Sequence, residues 1–200
     1  VSELSGRGNL RAKFGKFARN QDEGITLRVL QKIKTLENEG FIFESADASV
    51  GMMFHREQSD WQPFFELIDF MVVVEHREGR GIFAEASTKV RIGGKVFHTA
   101  AEGVGPVDAL DHALRKALEE VYSEVDKFRL VDYKVRILDA KQATSAVTRV
   151  LVETTDGDDT WTTVGASPNI IEASWQAVTD SFEFGLLKGG AKPPISNADA

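Results

Sequence analysis

The sequence predicts an α+β fold in which a small helical subdomain precedes a duplicated βββα domain. Three observations carry that prediction. Leu67-Ile68-Asp69-Phe70 returns as Leu130-Val131-Asp132-Tyr133 at an offset of 63, and Gly103-Val104-Gly105-Pro106 returns as Gly165-Ala166-Ser167-Pro168 at an offset of 62. Each copy runs through extended, alternating segments. Each then closes on a Gly/Pro turn and an amphipathic helical stretch. A unit that cannot cover its own sheet must pack against another, so a pair of copies or a homodimer is expected.

The elements follow in order. From Asp22 the spacing of Ile25, Val29, Ile33 and Leu36 predicts a helix that Gly40 stops. A shorter helix is expected over 45–54, with Val50, Met53 and Phe54 inward. Arg56 to Pro63 reads as a polar linker, which sets domain boundaries of 1–62 for the helical part, 63–187 for the duplicated part and 188–200 for a loose tail poor in apolar residues. Residues 70–75 read as a strand. In 82–92 the residues Ala84, Ala86, Thr88, Val90 and Ile92 share one side. Gly93-Gly94 marks a hairpin into 95–101. Pro106 suits a first helical position, and Val107, Leu110, Leu114, Ala117, Leu118 and Val121 give that helix its stripe. The second copy repeats this with strands over 133–138, 147–155 and 160–164. Its helix is expected to have Ser167 as N-cap, Pro168 first in the helix, and Ile171, Trp175, Val178 and Phe182 inward.

Composition narrows the function. A net charge of −7 disfavours nucleic acid and anionic membranes as partners, and no apolar run is long enough to span a bilayer. With no Cys the chain has no disulfides, no thiolate zinc site and no thiol nucleophile. The absence of a signal-like start makes the cytoplasm the expected location, and a first residue Val1 makes a piece of a longer polypeptide the expected context.

No catalytic or metal site is predicted. His55, His76, His98 and His112 lack a metal-ligand spacing, and no nucleophile elbow, phosphate loop or dinucleotide fingerprint occurs. An autonomous enzyme would have to bring His98 or His112 together with acidic neighbours in a cleft. The two Gly-rich helix starts are more informative, because small residues admit a ligand to free amides and to the positive end of the helix dipole. Tight turns are the alternative reading. Asp108 lies in the first turn of the first helix, so an anion is expected at the second helix and an ammonium group at Asp108; together these would hold an amino acid. Tyr133, Val135 and Ile137 share a strand face, with Ala143, Thr144 and Val147 following, so an apolar pocket between the copies could hold a branched side chain; ordinary core is the alternative. The basic run Arg7–Arg19, interleaved with Phe14 and Phe17, reads as an amphipathic helix against a neighbouring domain.

Four segments together resemble the C-terminal part of the α-isopropylmalate synthase/citramalate synthase family, closest to its citramalate branch. They are Leu4-Ser5-Gly6-Arg7-Gly8-Asn9, Glu102 through Leu110, Leu130-Val131-Asp132-Tyr133, and Gly165 with Asn169 through Ala177. The resemblance implies a regulatory and dimerisation domain, preceded in the parent by a TIM barrel that uses a divalent metal to condense acetyl-CoA with a pyruvate-type 2-oxo acid. Neither that barrel nor its metal ligands is in this sequence, and no cofactor is expected here. The implied effector is isoleucine, or leucine for the isopropylmalate branch; a dimerisation domain without effector is the further alternative. The implied effector residues are Gly105, Val107, Asp108, Ala109, Leu130, Tyr133, Ile137, Thr144, Val147, Pro168 and Ile170.

Overall fold

A computed structural model describes residues 23–79, 81–138 and 146–194. The basic run, the Leu4–Asn9 segment and Thr144 lie outside the described residues. The helices are α1 (Glu23–Asn38), α2 (Asp47–Arg56), α3 (Pro106–Glu119) and α4 (Ile170–Lys188), with a single 3₁₀ turn at Ser123–Lys127. The strands are β1 (Glu66–Arg77), β2 (Gly81–Ile92), β3 (Lys95–Gly103), β4 (Arg129–Ile137), β5 (Thr148–Thr155) and β6 (Thr160–Ser167). They form two antiparallel sheets, β1-β2-β3 and β4-β5-β6, each followed by a helix. The fold is therefore α+β with a repeated βββα unit.

The chain divides into two compact units. One joins the described residues up to Gln62 to 129–184; the other joins 63–128 to those from Gly185 onward. The second copy thus shares its unit with α1 and α2, whereas the first copy stands in the other unit.

In the first copy, Ala84, Ala86, Thr88, Val90 and Ile92 are all buried and face α3, as the alternation of β2 requires. Gly93 and Gly94 both take positive φ, 55° and 83°, which a two-residue hairpin needs to match the strand twist. The α3 stripe is Ala109, Leu110, Ala113, Leu114, Ala117 and Leu118, with Asp111 buried beside it. Val107 is only half-buried and Val121 is 40% exposed, so the predicted stripe was too long at both ends. Asp111 is tolerated because Arg115, one turn on, pairs with it at 3.3 Å and donates to the Val125 carbonyl at 2.8 Å. Burial pushes the Asp111 carboxyl up and Arg115 pulls it back down.

The strand registers give the true relation between the copies. In β1–β2 and β4–β5 the first strands are offset by 63, each with a bulge, at Leu67/Asp69 and Leu130/Asp132. From the second strand onward the offset is 64: Ala84 faces Gly103 as Thr148 faces Ser167. The helices obey it too, since Thr99 Oγ1 donates to the Ala113 carbonyl and Thr163 Oγ1 to the Ala177 carbonyl, both at 2.6 Å. Gly105 therefore corresponds to Asn169, not to Ser167.

The expected start of α4 is corrected accordingly. Ser167 ends β6, Pro168 lies outside the helix, and Asn169 is the N-cap, its Oδ1 accepting from Ile171 N at 2.9 Å and Glu172 N at 3.4 Å. Ser167 Oγ accepts from Asn169 N at 3.1 Å and donates to Glu172 Oε2 at 2.8 Å, a capping box relayed through one hydroxyl. At the far end Gly190 (φ 77°) donates to the Leu187 carbonyl and Ala191 to that of Leu186, a Schellman closure.

The opening helices are built onto the second copy. Val29, Leu30, Ile33, Phe43, Ala46, Val50, Met53 and Phe54 form one core with Val164 of β6, and Leu151 of β5 packs against it. Val164 and Leu151 are register partners on the side of the sheet away from α4. Sheet β4-β5-β6 is thus covered by α4 on one face and by α1–α2 on the other.

Each helix lies tight on its sheet where the third strand carries glycine. A Cβ on Gly165 would run into the Ala173 carbonyl and meet Gln176 Cβ at 2.9 Å. Gly165→Ala is expected to lower stability by about 1–3 kcal/mol, the usual range for overpacking, read as a fall in urea midpoint at unchanged slope.

Candidate functional site

The implied effector residues fall into two sets. Leu130, Tyr133, Ile137, Val147, Pro168 and Ile170 stand in the unit of the second copy; Gly105, Val107, Asp108 and Ala109 stand in the other. Each set is a local structure in its own right.

In the second copy, Tyr133, Val135 and Ile137 are register partners of the buried Val152, Val150 and Thr148, so they lie on the α4 side of the sheet. Helix α4 follows β6, to which Thr163 ties it, and the edge strand β4 is left uncovered. Val135 is 43% and Ile137 61% exposed, and Leu130 and Ile170 are exposed as well. This face is apolar without being filled core. Val147 is half-buried, and its carbonyl accepts from Leu138 N at 2.8 Å.

Tyr133 is the polar fixture of that face. Ser174 Oγ donates to the Ile170 carbonyl at 2.6 Å, so the phenol must donate to Ser174 Oγ, 2.7 Å away. The contact ties the middle of β4 to the first turn of α4. Burial pushes the Tyr133 phenol above its ordinary value, and the Ser174 hydrogen bond partly offsets that. The corresponding residues of the first copy, at offsets of 63 and 64, are Phe70 and Leu110. Only the second copy has the hydroxyl pair. Sequence reading missed Ser174, although a small hydroxyl one turn from the cap was the available signal.

The first set surrounds the start of α3. No side chain caps it: Gly105 is the N-cap, in extended conformation (φ −160°, ψ 172°), and a Cβ there would meet open space. Asp108 Oδ2 accepts from Val104 N at 2.9 Å, and His112 Nε2 lies 3.6 Å from Asp108 Oδ1 while its Nδ1 meets the Glu102 carbonyl at 3.0 Å. Val104 is 94% exposed.

This geometry overturns the expected anion preference. Glu172 occupies in α4 the third helical position that Asp108 occupies in α3, so both dipoles meet a carboxylate. The amides of Ile171 and Glu172 are already taken by Asn169. The start without a side-chain cap is that of α3, the opposite of the sequence expectation. The two histidines of the enzyme alternative stand apart: His98 faces Lys89 on the side of its sheet away from α3, and His112, on α3, pairs with Asp108 at a solvent-exposed position. Among the described residues no three His, Asp or Glu side chains gather as a metal would require, and no helix is long and apolar enough to cross a membrane.

The model of the LeuA allosteric (dimerisation) domain matches residues 44–186. The chain is similar to the (R)-citramalate synthase of Geobacter sulfurreducens, 47% identical over 191 residues that cover 94% of this chain and 36% of that protein. It is likewise similar to the (R)-citramalate synthases of Aquifex aeolicus, at 42% identity over 94% of this chain and 36% of the other, and of Streptomyces coelicolor, at 39% over 96% and 37%. The chain thus spans little more than a third of the length of these relatives.

Tyr133→Phe is expected to cost about 1 kcal/mol, the usual net worth of one hydrogen bond. The raised phenol also sets a pH dependence. An acid whose folded-state pKa exceeds its unfolded value stabilises fully below the unfolded value, about 10 for tyrosine, and loses that contribution as pH rises through the folded one. The phenolate absorbance that wild type has and Tyr133→Phe lacks should therefore emerge only above about pH 10.

Proposed function

Because the chain belongs to the LeuA allosteric (dimerisation) domain family, we propose that it is the feedback-regulatory and dimerising part of a citramalate synthase, with isoleucine as effector. The parent would carry an N-terminal metal-dependent barrel that condenses acetyl-CoA with a pyruvate-type 2-oxo acid. The match to (R)-citramalate synthases over more than nine-tenths of the chain carries the reading.

The second copy supplies what a branched side chain needs. The side chain calls for an apolar surface that the fold leaves open, and β4 offers Leu130, Val135 and Ile137, with Val147 at the start of the next segment. The Tyr133–Ser174 pair fixes the position of that surface relative to α4. Gly105, Val107, Asp108 and Ala109, at the α3 start in the other unit, enter through the family resemblance; that helix start has no side-chain cap, and its Ala109 N–H is bonded to the Gly105 carbonyl at 2.9 Å. Pro168 and Ile170 flank the second helix start, and Thr144 enters through the family resemblance alone. The exposed apolar residues of β4 also give a second copy something to cover.

Calorimetric titration tests the reading. L-isoleucine should bind the wild-type chain more tightly than L-leucine, and Ile137→Ala should weaken it on the order of tenfold, the equivalent of about two buried methylenes. Tighter leucine binding would move the chain to the isopropylmalate branch. Sedimentation of a dimer that binds neither would leave a dimerisation role alone.

A further inference from the structure

We propose that Arg136 and Arg149 form a binding site for a small, doubly charged oxyanion of the phosphate class, on the face of sheet β4-β5-β6 opposite to Tyr133 and Ile137. The inference goes beyond the effector reading above, which concerns the other face, and does not depend on it.

Strand register brings the two arginines together inside one compact unit. Arg136 of β4 and Arg149 of β5 are direct partners across the antiparallel ladder. Such partners have their Cβ atoms about 4.5–5.5 Å apart, and like charges placed there destabilise a sheet. Tyr133, Val135 and Ile137 lie on the α4 side, so alternation puts Arg136 and Arg149 on the other. Arg136 is exposed on the edge strand, and Arg149 is half-buried on the central one.

No carboxylate relieves this repulsion. Burial, and after it the Arg136 charge, hold the Arg149 guanidinium below its ordinary value, and no acidic group pulls it back up. Among the described residues Arg136 has neither a hydrogen-bond nor an ion-pair partner. The acidic residues on this face of the two strands are Asp132 and Glu153, each four positions along its strand and so about 13 Å away. Asp132 is already paired with Lys134. The donors of Arg149 are pre-set: its Nε donates to the Gly40 carbonyl at 2.6 Å, which fixes the guanidinium plane and leaves both Nη groups for a ligand. Arg136 keeps all five of its N–H groups. A planar carboxylate satisfies one such fork and cancels one charge. A tetrahedral dianion has oxygens for both forks and cancels both charges.

Comparison of the copies shows that the repeat does not require the pair. At offsets of 63 and 64, Arg136 and Arg149 correspond to Val73 and Glu85, which are themselves register partners in β1–β2. A valine beside a carboxylate offers an anion nothing. The same two positions of the same unit thus carry two uncompensated positive charges in one copy only, in a chain whose net charge is −7. A local rule broken without compensation inside the fold marks a functional position, and a bound dianion is the compensation that fits here.

Thermal unfolding of the chain at constant ionic strength tests the site, with inorganic phosphate as the probe and chloride and acetate as controls, in mildly alkaline solution where phosphate is doubly charged. In wild type, phosphate at on the order of ten times a millimolar Kd should raise Tm by about 3 °C over chloride, and acetate should not. Arg136→Gln should raise the Tm of the phosphate-free chain, because it removes the repulsion, and abolish the phosphate shift; a merely structural arginine would lower it. By calorimetry Arg149→Lys should bind phosphate on the order of tenfold more weakly, since an ammonium keeps the charge but not the fork. A wild-type Tm indifferent to phosphate, or a shift of the same size in Arg136→Gln, would overturn the site. Equal stabilisation by acetate would overturn the assignment to a doubly charged oxyanion.

Discussion

A single helix laid on a three-stranded antiparallel sheet covers only part of one face, and the structure follows from where that helix is pinned. One pin is the same in both copies, and the other, a glycine, falls at non-equivalent positions of the third strand. A threonine of the third strand donates to a helix carbonyl fourteen positions on, Thr99 to Ala113 and Thr163 to Ala177. Glycine at 103 and 165 lets helix backbone or side chain come within a distance that a Cβ would forbid. Both features draw the helix toward the second and third strands. The first strand keeps its apolar residues on the helix side without a cover: Val74 in β1, Val135 and Ile137 in β4. That exposed apolar strand is the feature on which the proposed effector reading rests.

The copies then diverge at positions the pinning does not constrain. The first copy has the apolar Phe70 and Leu110 at the positions where Tyr133 and Ser174 make a hydrogen bond in the second. His112 meets the Glu102 carbonyl, and its counterpart Gln176 accepts from the N–H of Ala166, the counterpart of Glu102. An edge strand with unsatisfied amides and carbonyls is a liability, and helix side chains one and two turns in relieve it in both copies. Only in the second copy is part of that task given to a segment from outside the repeat, through Ser49 of α2, whose Oγ accepts from Val164 N at 3.0 Å. The second copy is accordingly the one joined to α1 and α2.

Much of this was legible in the residues, and the failures have identifiable causes. The strands of the first copy were readable because the buried face alternates strictly from Ala84 to Ile92 and Gly93-Gly94 sets the hairpin. The start of α3 was readable because Pro106 stands first in the helix. The same signal misled in the second copy, where Pro168 precedes the cap instead of following it. Asn169 is the stronger cap, with Glu172 three residues on, and Ser167 completes the relay from the strand. Aligning proline to proline gave an offset of 62, whereas hydrogen-bond register gives 64, and the inferred anion preference inverted with it. The implied effector residues came from motif matching, which picks out residues but not the uncapped state of one helix start. Asp111, Ser49 and the pairing of Arg56 with Asp180 and Glu183 were invisible because their partners lie far apart in sequence or, for Asp111, because an acidic residue in a helix is ordinarily taken to be exposed.

The contact between α2 and α4 lies between two energetic limits. An exposed ion pair contributes about 0–1 kcal/mol. A fully buried pair that loses one partner costs about 3–5 kcal/mol. Arg56 of α2 pairs with Asp180 at 2.7 Å and also with Glu183, its side chain 33% exposed against Asp180 at 16% and Glu183 at 7%. Water can therefore replace part of its pairing, while the two carboxylates stay sheltered. In the first copy the equivalent of Asp180 is Lys116, whose Nζ donates to the Ala100 carbonyl of its own third strand at 2.9 Å.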